Sequence, residues 1–147
     1  MNEIAFEGGC FCEAVRYRVE AEPFNPTNCH CADCRRASGA PFVSWVSFPS
    51  AGFTFTRGRP RSFRYAGRVR TFCGRCGTPL TFQADDSPDE LDVTIGSLDH
   101  PEALAPRDHI WASDRLPWIA LADDLPSYES RRTAGPPAGL PPSGASG

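Results

Sequence analysis

The stretch Cys73-Gly74-Arg75-Cys76-Gly77 has the pattern of a metal-binding knuckle. Glycine in its second and fifth places lets the loop adopt positive φ, so that backbone amides can point at the sulfurs. Such a knuckle needs a second cysteine pair, and Cys10-Phe11-Cys12, preceded by Gly8-Gly9, is the obvious candidate. The two pairs predict a closed four-cysteine zinc site of structural role, which ties the start of the chain to its middle.

Two other interpretations of these pairs are weaker. Ordinary buried thiols would rarely fall into two such pairs with flanking glycines. A redox couple is the stronger rival for Cys73 and Cys76, but a redox C-x-x-C usually opens a helix in a βαβ unit, and the sequence around this pair shows no such pattern. The spacing therefore favours metal binding.

A third group, Cys29-His30-Cys31-Ala32-Asp33-Cys34, completes the seven cysteines. Two closed four-cysteine sites would need eight thiolates, so four plus three is the expected partition, with two zinc ions per chain and an open position on the second. A zinc ion with three thiolate ligands forms a site of net negative charge, so the metal is a poorer Lewis acid than one bound by neutral ligands. Because zinc favours thiolate ligands, the site can still bind a further thiolate. We therefore predict a catalytic zinc on Cys29, Cys31 and Cys34, with chemistry that delivers a thiolate to an electrophile.

Polar neighbours of this group have open roles. Arg35 and Arg36 follow it directly, and they could offset its charge or bind a ligand carboxylate. His30 could be a fourth ligand or a proton shuttle, although its tight spacing favours a ring that points away. Asp33 could act as a base or cap a turn. His109 could reach the open zinc, but a core or rim position is the better expectation.

Composition limits the class of protein. The chain has 147 residues, which fits one domain, and 40% of them are hydrophobic. No apolar run is long enough for a transmembrane helix, and the N-terminus lacks the features of a signal peptide. We therefore expect a cytoplasmic protein without a membrane partner, where cysteine clusters more often bind metal than form disulfides. A sequence pI of about 5.6 makes nucleic acid an unlikely partner.

Short β-like runs dominate the chain, and Pro or Gly separates nearly all of them. We predict strands at residues 14–20, 42–48, 53–56, 62–65, 69–72, 80–82 and 91–95. A short helix is expected over Cys31–Ser38, ended by Gly39, with one further turn at Pro101–Leu104. These elements form a mainly β domain over residues 1–133, and residues 134–147, rich in Pro, Gly and Ala, are expected to be a disordered tail.

Charge is segregated along the chain. Seven arginines lie between Arg57 and Arg75 with no acid among them, whereas residues 85–124 hold eleven acids and two arginines. The arginines could form a basic rim for an anionic ligand. Their spacing fits the solvated outward faces of strands somewhat better.

With these motifs in order, the sequence resembles the glutathione-dependent formaldehyde-activating (GFA) enzymes, also called the centromere protein V/GFA domain. The resemblance covers roughly residues 5–130, and its specific part is the three cysteine motifs. The matching stretches are Gly8-Gly9-Cys10-Phe11-Cys12, Cys29 to Gly39 and Phe72 to Leu80, with weaker matches at His109-Ile110-Trp111 and Leu116-Pro117-Trp118.

The resemblance implies a fold of several small coiled antiparallel sheets with few helices. It also implies a structural zinc on Cys10, Cys12, Cys73 and Cys76 and a catalytic zinc on Cys29, Cys31 and Cys34. The founding activity condenses glutathione with formaldehyde to S-hydroxymethylglutathione, which makes the enzyme a carbon–sulfur lyase in the reverse direction. Fold and family do not fix the substrate.

Three functions are consistent with the sequence. The first is a zinc-dependent lyase that acts on an adduct of glutathione or another small thiol with a small aldehyde. The second is a carrier that binds glutathione without catalysis. The third is a zinc-stapled interaction module, which only the arginine-rich stretch favours.

Overall fold

A computed structural model describes residues 4–133, and these residues are mainly β. The predicted tail at residues 134–147 lies outside the described residues. One α-helix, α1, lies among ten strands. The elements in chain order are β1 (Phe6–Gly9), β2 (Arg16–Val19), β3 (Phe24–Cys29), α1 (Ala32–Ser38), β4 (Val43–Pro49), β5 (Phe53–Arg57), β6 (Arg61–Tyr65), β7 (Arg68–Phe72), β8 (Pro79–Ala84), β9 (Glu90–Thr94) and β10 (His109–Ile110).

The strands form two sheets, and the described residues divide into two compact units. The first unit contains the residues up to Asn25 together with Val46–Leu104. The second contains Pro26–Trp45 together with the residues from Ala105 on. Each cysteine cluster predicted from the sequence lies within one unit only.

The first unit holds the three-stranded sheet, in the order β1-β2-β5. Both pairings are antiparallel, and the alternation along β2 buries Tyr17 and Val19 completely. These side chains join a core whose other aliphatic and aromatic members include Val46, Phe48 and Leu80. Burial of large apolar side chains of this kind contributes roughly 1.5–3 kcal/mol each.

The first unit also contains strands of the second sheet, in the order β4-β9-β8-β7-β6. Strands β6, β7 and β8 pair antiparallel in sequence, and every residue of β6 is exposed. Two of the arginines considered for a basic rim bind their own chain: Arg64 of β6 pairs with Asp85 at 2.7 Å, and Arg57 of β5 donates to the carbonyl of Glu13. The arginine-rich stretch therefore lies largely on solvated strand faces.

Within the second unit, β10, β3 and the first residues of β4, 43–45, pair in that order. Here β10 runs parallel to β3, with Ile110 opposite Cys29. Helix α1 follows β3 after a two-residue connection. It ends at Gly39, whose φ of 76° allows its amide to donate to the carbonyl of Arg35.

The predicted elements are largely confirmed. All seven predicted strands are present, as are the short helix with its glycine C-cap and the turn at Pro101–Leu104, which is a 3-10 helix. Strands β1, β3 and β10 were not among the predicted runs. None of the helices in residues 4–133 is long and apolar enough to cross a membrane.

Candidate metal centres

Four cysteines of the first unit converge on one point. The Sγ atoms of Cys10 and Cys12 lie 3.7 Å apart, and those of Cys12 and Cys73 lie 3.8 Å apart. All four sulfurs, including that of Cys76, lie within 4.8 Å of one another. A tetrahedral zinc with Zn–S bonds of about 2.3 Å requires neighbouring sulfurs about 3.8 Å apart. The cluster therefore fits a tetrahedral zinc ion.

Two tight turns position these sulfurs. In the first turn, the amide of Cys10 donates to the carbonyl of Val15, and the amide of Val15 donates to Cys10 Sγ at 3.2 Å. In the second, Gly77 at φ 85° donates its amide to the carbonyl of Cys73 at 2.8 Å. That turn aims the amides of Arg75 and Cys76 at Cys73 Sγ, at 3.3 and 3.4 Å. Of the two knuckle glycines expected to adopt positive φ, Gly77 does so, whereas Gly74 does not, and that part of the prediction is wrong.

Hydrogen bonds in the knuckle favour thiolates at two positions. The amides of Cys76 and Arg75 lower the pKa of Cys73. The hydroxyl of Thr78 lies 3.3 Å from Cys76 Sγ, and it is the main cause that lowers the pKa of Cys76 to about 5. At Cys12 the amide of Ala14 acts in the same direction, but burial and the three neighbouring sulfurs raise its pKa to about 11. Four thiolates this close need a cation among them.

The second unit brings together the three cysteines of the C-x-C-x-x-C group. Their sulfurs lie within 4.8 Å of one another, and those of Cys29 and Cys34 are 3.4 Å apart. Cys29 is the last residue of β3, and Cys31 is the N-cap residue of α1. The sulfur of Cys31 accepts a hydrogen bond from the amide of Cys34 at 3.2 Å. Its partners Cys31 and Cys34 raise the pKa of Cys29 strongly, so this cluster also needs a cation to hold three thiolates.

Access to this cluster is uneven. Cys29 and Cys34 are buried, whereas Cys31 is half-buried. Asp33 and Arg36 are exposed on α1, and Arg35 is half-buried. The three-cysteine set offers three protein ligands, which leaves one position of a tetrahedral zinc for a further ligand.

His30 is not part of the cluster, as its tight spacing suggested. Its Nε2 lies 2.9 Å from Nδ1 of His109, and both rings are buried. Burial is the main cause that lowers the pKa of His30 to about 4. His109 is therefore a core histidine, and the remaining histidine, His100, is exposed.

Two polar partners at these sites, Thr78 and Asp123, were not predicted from the sequence. Thr78 directly follows the knuckle, so its place in the sequence was a usable signal for a hydrogen bond to a zinc ligand. Asp123 accepts a hydrogen bond from His109 Nε2 at 2.8 Å, and no motif surrounds it.

The fold and the two cysteine clusters define a mainly β protein with two groups of sulfurs, each of which could hold a metal ion. More specifically, the chain belongs to the glutathione-dependent formaldehyde-activating enzyme family, whose sequence profile matches residues 5–114. This match confirms the resemblance carried by the three cysteine motifs.

Individual relatives share a third or less of their aligned residues with this chain. The chain is 33% identical to an uncharacterized lyase of Schizosaccharomyces pombe over 79 residues, which cover 52% of this chain and 56% of that protein. It is 24% identical to a putative glutathione-dependent formaldehyde-activating enzyme of Halomonas elongata over 125 residues, which cover 78% and 80% of the two chains. A crystal structure of a Rhodobacter sphaeroides protein matches with a TM-score of 0.58 at 24% identity, covering 68% of this chain and 97% of that one. That structural match supports the fold.

Proposed function

We propose that this protein is a zinc-dependent enzyme of the carbon–sulfur lyase type that acts on the adduct of a small thiol and an aldehyde. The observation that carries the proposal is the unequal pair of clusters, one with four cysteine sulfurs and one with three. Zinc held by Cys29, Cys31 and Cys34 would supply an open position at which a thiol is kept deprotonated. The four-cysteine cluster has no such position, so its role is structural.

The proposed substrate pair is glutathione and formaldehyde. Family membership and the name of the Halomonas elongata relative support that pair. In the reaction the glutathione sulfur bonds to the aldehyde carbon, and the aldehyde oxygen becomes the hydroxyl group of S-hydroxymethylglutathione. The proton that the thiol loses balances the proton that this oxygen gains.

Residues of the chain would divide the work as follows. The three cysteines hold the metal, and the amide of Cys34 fixes the sulfur of Cys31, the most accessible of the three. Arg35 and Arg36 lie on the same short helix and are the nearest cations along the sequence. We assign them the carboxylates of glutathione, which guanidinium groups bind well. No disulfide joins the cysteines of residues 4–133, and clusters that bind metal through thiolates suit a reducing compartment such as the cytosol.

Zinc content measured with and without glutathione tests the proposal. We expect two zinc ions per chain, and we expect glutathione to raise the melting temperature or change metal retention, because it binds the folded protein at the open site. Formaldehyde is then added, and formation of the adduct is compared with the uncatalysed reaction.

One variant and two alternative outcomes of these measurements distinguish the candidate functions. Cys31→Ser should abolish both the glutathione effect and the catalysed rate. Saturable glutathione binding without acceleration would instead select the thiol carrier. A content of one tightly bound zinc ion per chain, with no change in metal content or melting temperature on addition of glutathione, would contradict an open thiol-binding site.

A further inference from the structure

A line of three polar side chains runs through the second unit from its surface to the three-cysteine segment. The side chain of Asp123 is 42% exposed, and its Oδ2 lies 2.8 Å from Nε2 of His109. Nδ1 of His109 lies 2.9 Å from Nε2 of His30. His30 is 0% exposed and sits between Cys29 and Cys31 in the chain.

For an ionised Asp123 and a neutral His109, the three hydrogen-bonded side chains allow one arrangement of the ring protons. A carboxylate only accepts, so Nε2 of His109 carries the hydrogen. In a neutral ring Nδ1 of His109 then accepts, and Nε2 of His30 must donate to it. This leaves Nδ1 of His30 as a bare acceptor, which is buried and has no hydrogen-bond partner within residues 4–133.

Other contacts hold the His30 ring and its backbone in place. The ring packs on Phe42 with centroids 4.9 Å apart. The amide of His30 donates to the carbonyl of Ile110 at 3.0 Å, in the same parallel pairing that places Ile110 opposite Cys29. The backbone torsions of residue 30 set the relative placement of the two flanking cysteines, so contacts that hold this residue restrict where their sulfurs can lie.

We propose that Asp123 and His109 are positioning residues that lock the tautomer and orientation of His30 and thereby hold Cys29 and Cys31 in their chelating geometry. The role is one of orientation, and no group in the line needs to change its charge. Outer partners of this kind orient metal ligands in many sites, and their loss typically costs about 10- to 100-fold in affinity or activity. The effect on catalysis rests on the function proposed above, whereas the tautomers do not.

Asp123→Asn is a sharp test because the local structure dictates how the new amide sits. Oδ1 of Asp123 accepts from the amide of Leu125 at 3.1 Å. Asparagine must keep its oxygen on that amide, so its NH₂ group faces Nε2 of His109. That nitrogen can no longer donate, and the tautomers of both rings are expected to invert.

Histidine ¹⁵N NMR on the zinc-loaded protein reports the tautomers directly. We expect both buried rings of the wild-type protein to be neutral with the proton on Nε2, and both rings of Asp123→Asn to carry it on Nδ1. His100→Gln removes the signal of the exposed third ring, so no further assignment is needed. A wild-type His30 protonated on Nδ1, or a charged His109, would overturn the proposal, as would an Asp123→Asn spectrum with unchanged tautomers. Should the variant fold poorly, a wild-type spectrum in which either buried ring is protonated on Nδ1 would still overturn the proposal.

Kinetics provide the second readout. With zinc in excess, kcat of Asp123→Asn for the glutathione–formaldehyde reaction should fall about 10- to 100-fold, and the exposed control Asp114→Asn should not change it. A kcat within about twofold of wild type would overturn the positioning role. If the wild-type protein shows no catalysis at all, the proposed function fails. The NMR result then still tests the proposed tautomers of His30 and His109.

Discussion

The Sγ atoms of Cys12 and Cys73 lie 3.8 Å apart, although 61 positions separate the two residues in the chain. A cross-link that closes a loop of this length stabilises the native state by about 4 kcal/mol, mainly by restricting the unfolded chain. Four thiolates this close together repel one another, so the cross-link requires a bound cation among them. The N-terminal turn is thereby held to the core strands of its unit.

Removal of Cys73 should therefore have a much larger effect on folding than removal of Cys31. We expect Cys73→Ser to lower the free energy of unfolding by roughly 4 kcal/mol or more, or to prevent folding altogether. Cys31→Ser should stay folded with about one zinc fewer and no activity. Urea denaturation and elemental zinc analysis of the two variants make the comparison.

The choice of serine matters at position 31. The Cys31 sulfur caps α1 by accepting from the amide of Cys34 at 3.2 Å, and a serine hydroxyl can do the same. Cys31→Ala loses both the ligand and the cap, so it should be about 1 kcal/mol less stable than Cys31→Ser. Equal loss of stability in Cys73→Ser and Cys31→Ser would refute the division into structural and open sites.

The cysteine clusters could be predicted because zinc geometry acts over a few residues. A C-x-x-C turn with glycine at its fifth place already contains the amide–sulfur bonds that the structure shows at Cys73. Counting the thiolates then separated four from three. Strands β2 and β4–β9 were also predictable, since each is a short β-like run between turn residues.

The missed features depend on partners far along the chain. Strand β3 contains both Asn25, which has φ 50°, and Pro26, so its sequence favours a turn. It is a strand because β4 and β10 pair with it. The hydrogen bond between His30 and His109 joins residues 79 positions apart. Neither histidine belongs to a periodic pattern, so only the fold reveals their contact.

Thr78 should tune the affinity of the four-cysteine site for zinc. Its hydroxyl lies 3.3 Å from Cys76 Sγ and accepts from the amide of Phe11 at 3.0 Å, so it joins the two halves of the site. Thr78→Val keeps the shape but removes both hydrogen bonds, and it should weaken zinc binding about 10- to 100-fold. Competition with a chromogenic chelator measures the affinity. Thr78→Ser retains the hydroxyl and should resemble wild type, and a valine variant of unchanged affinity would contradict this role.

Gly77 should be required for its backbone conformation alone. Its φ of 85° is one that L-residues avoid, whereas a Cβ added there would meet no atom within 4 Å. Gly77→Ala should therefore cost about 1–2 kcal/mol of unfolding free energy without any steric clash.

Gly96→Ala is the matched control for this substitution. A Cβ added at Gly96 would also enter open space, but Gly96 is not among the described glycines with positive φ. The control should leave stability within about 0.5 kcal/mol of wild type. Urea denaturation of the zinc-loaded proteins gives both values. Equal stability of the two variants would mean that the knuckle tolerates a different backbone conformation at position 77. The zinc site would then not depend on the 2.8 Å hydrogen bond from the Gly77 amide to the Cys73 carbonyl.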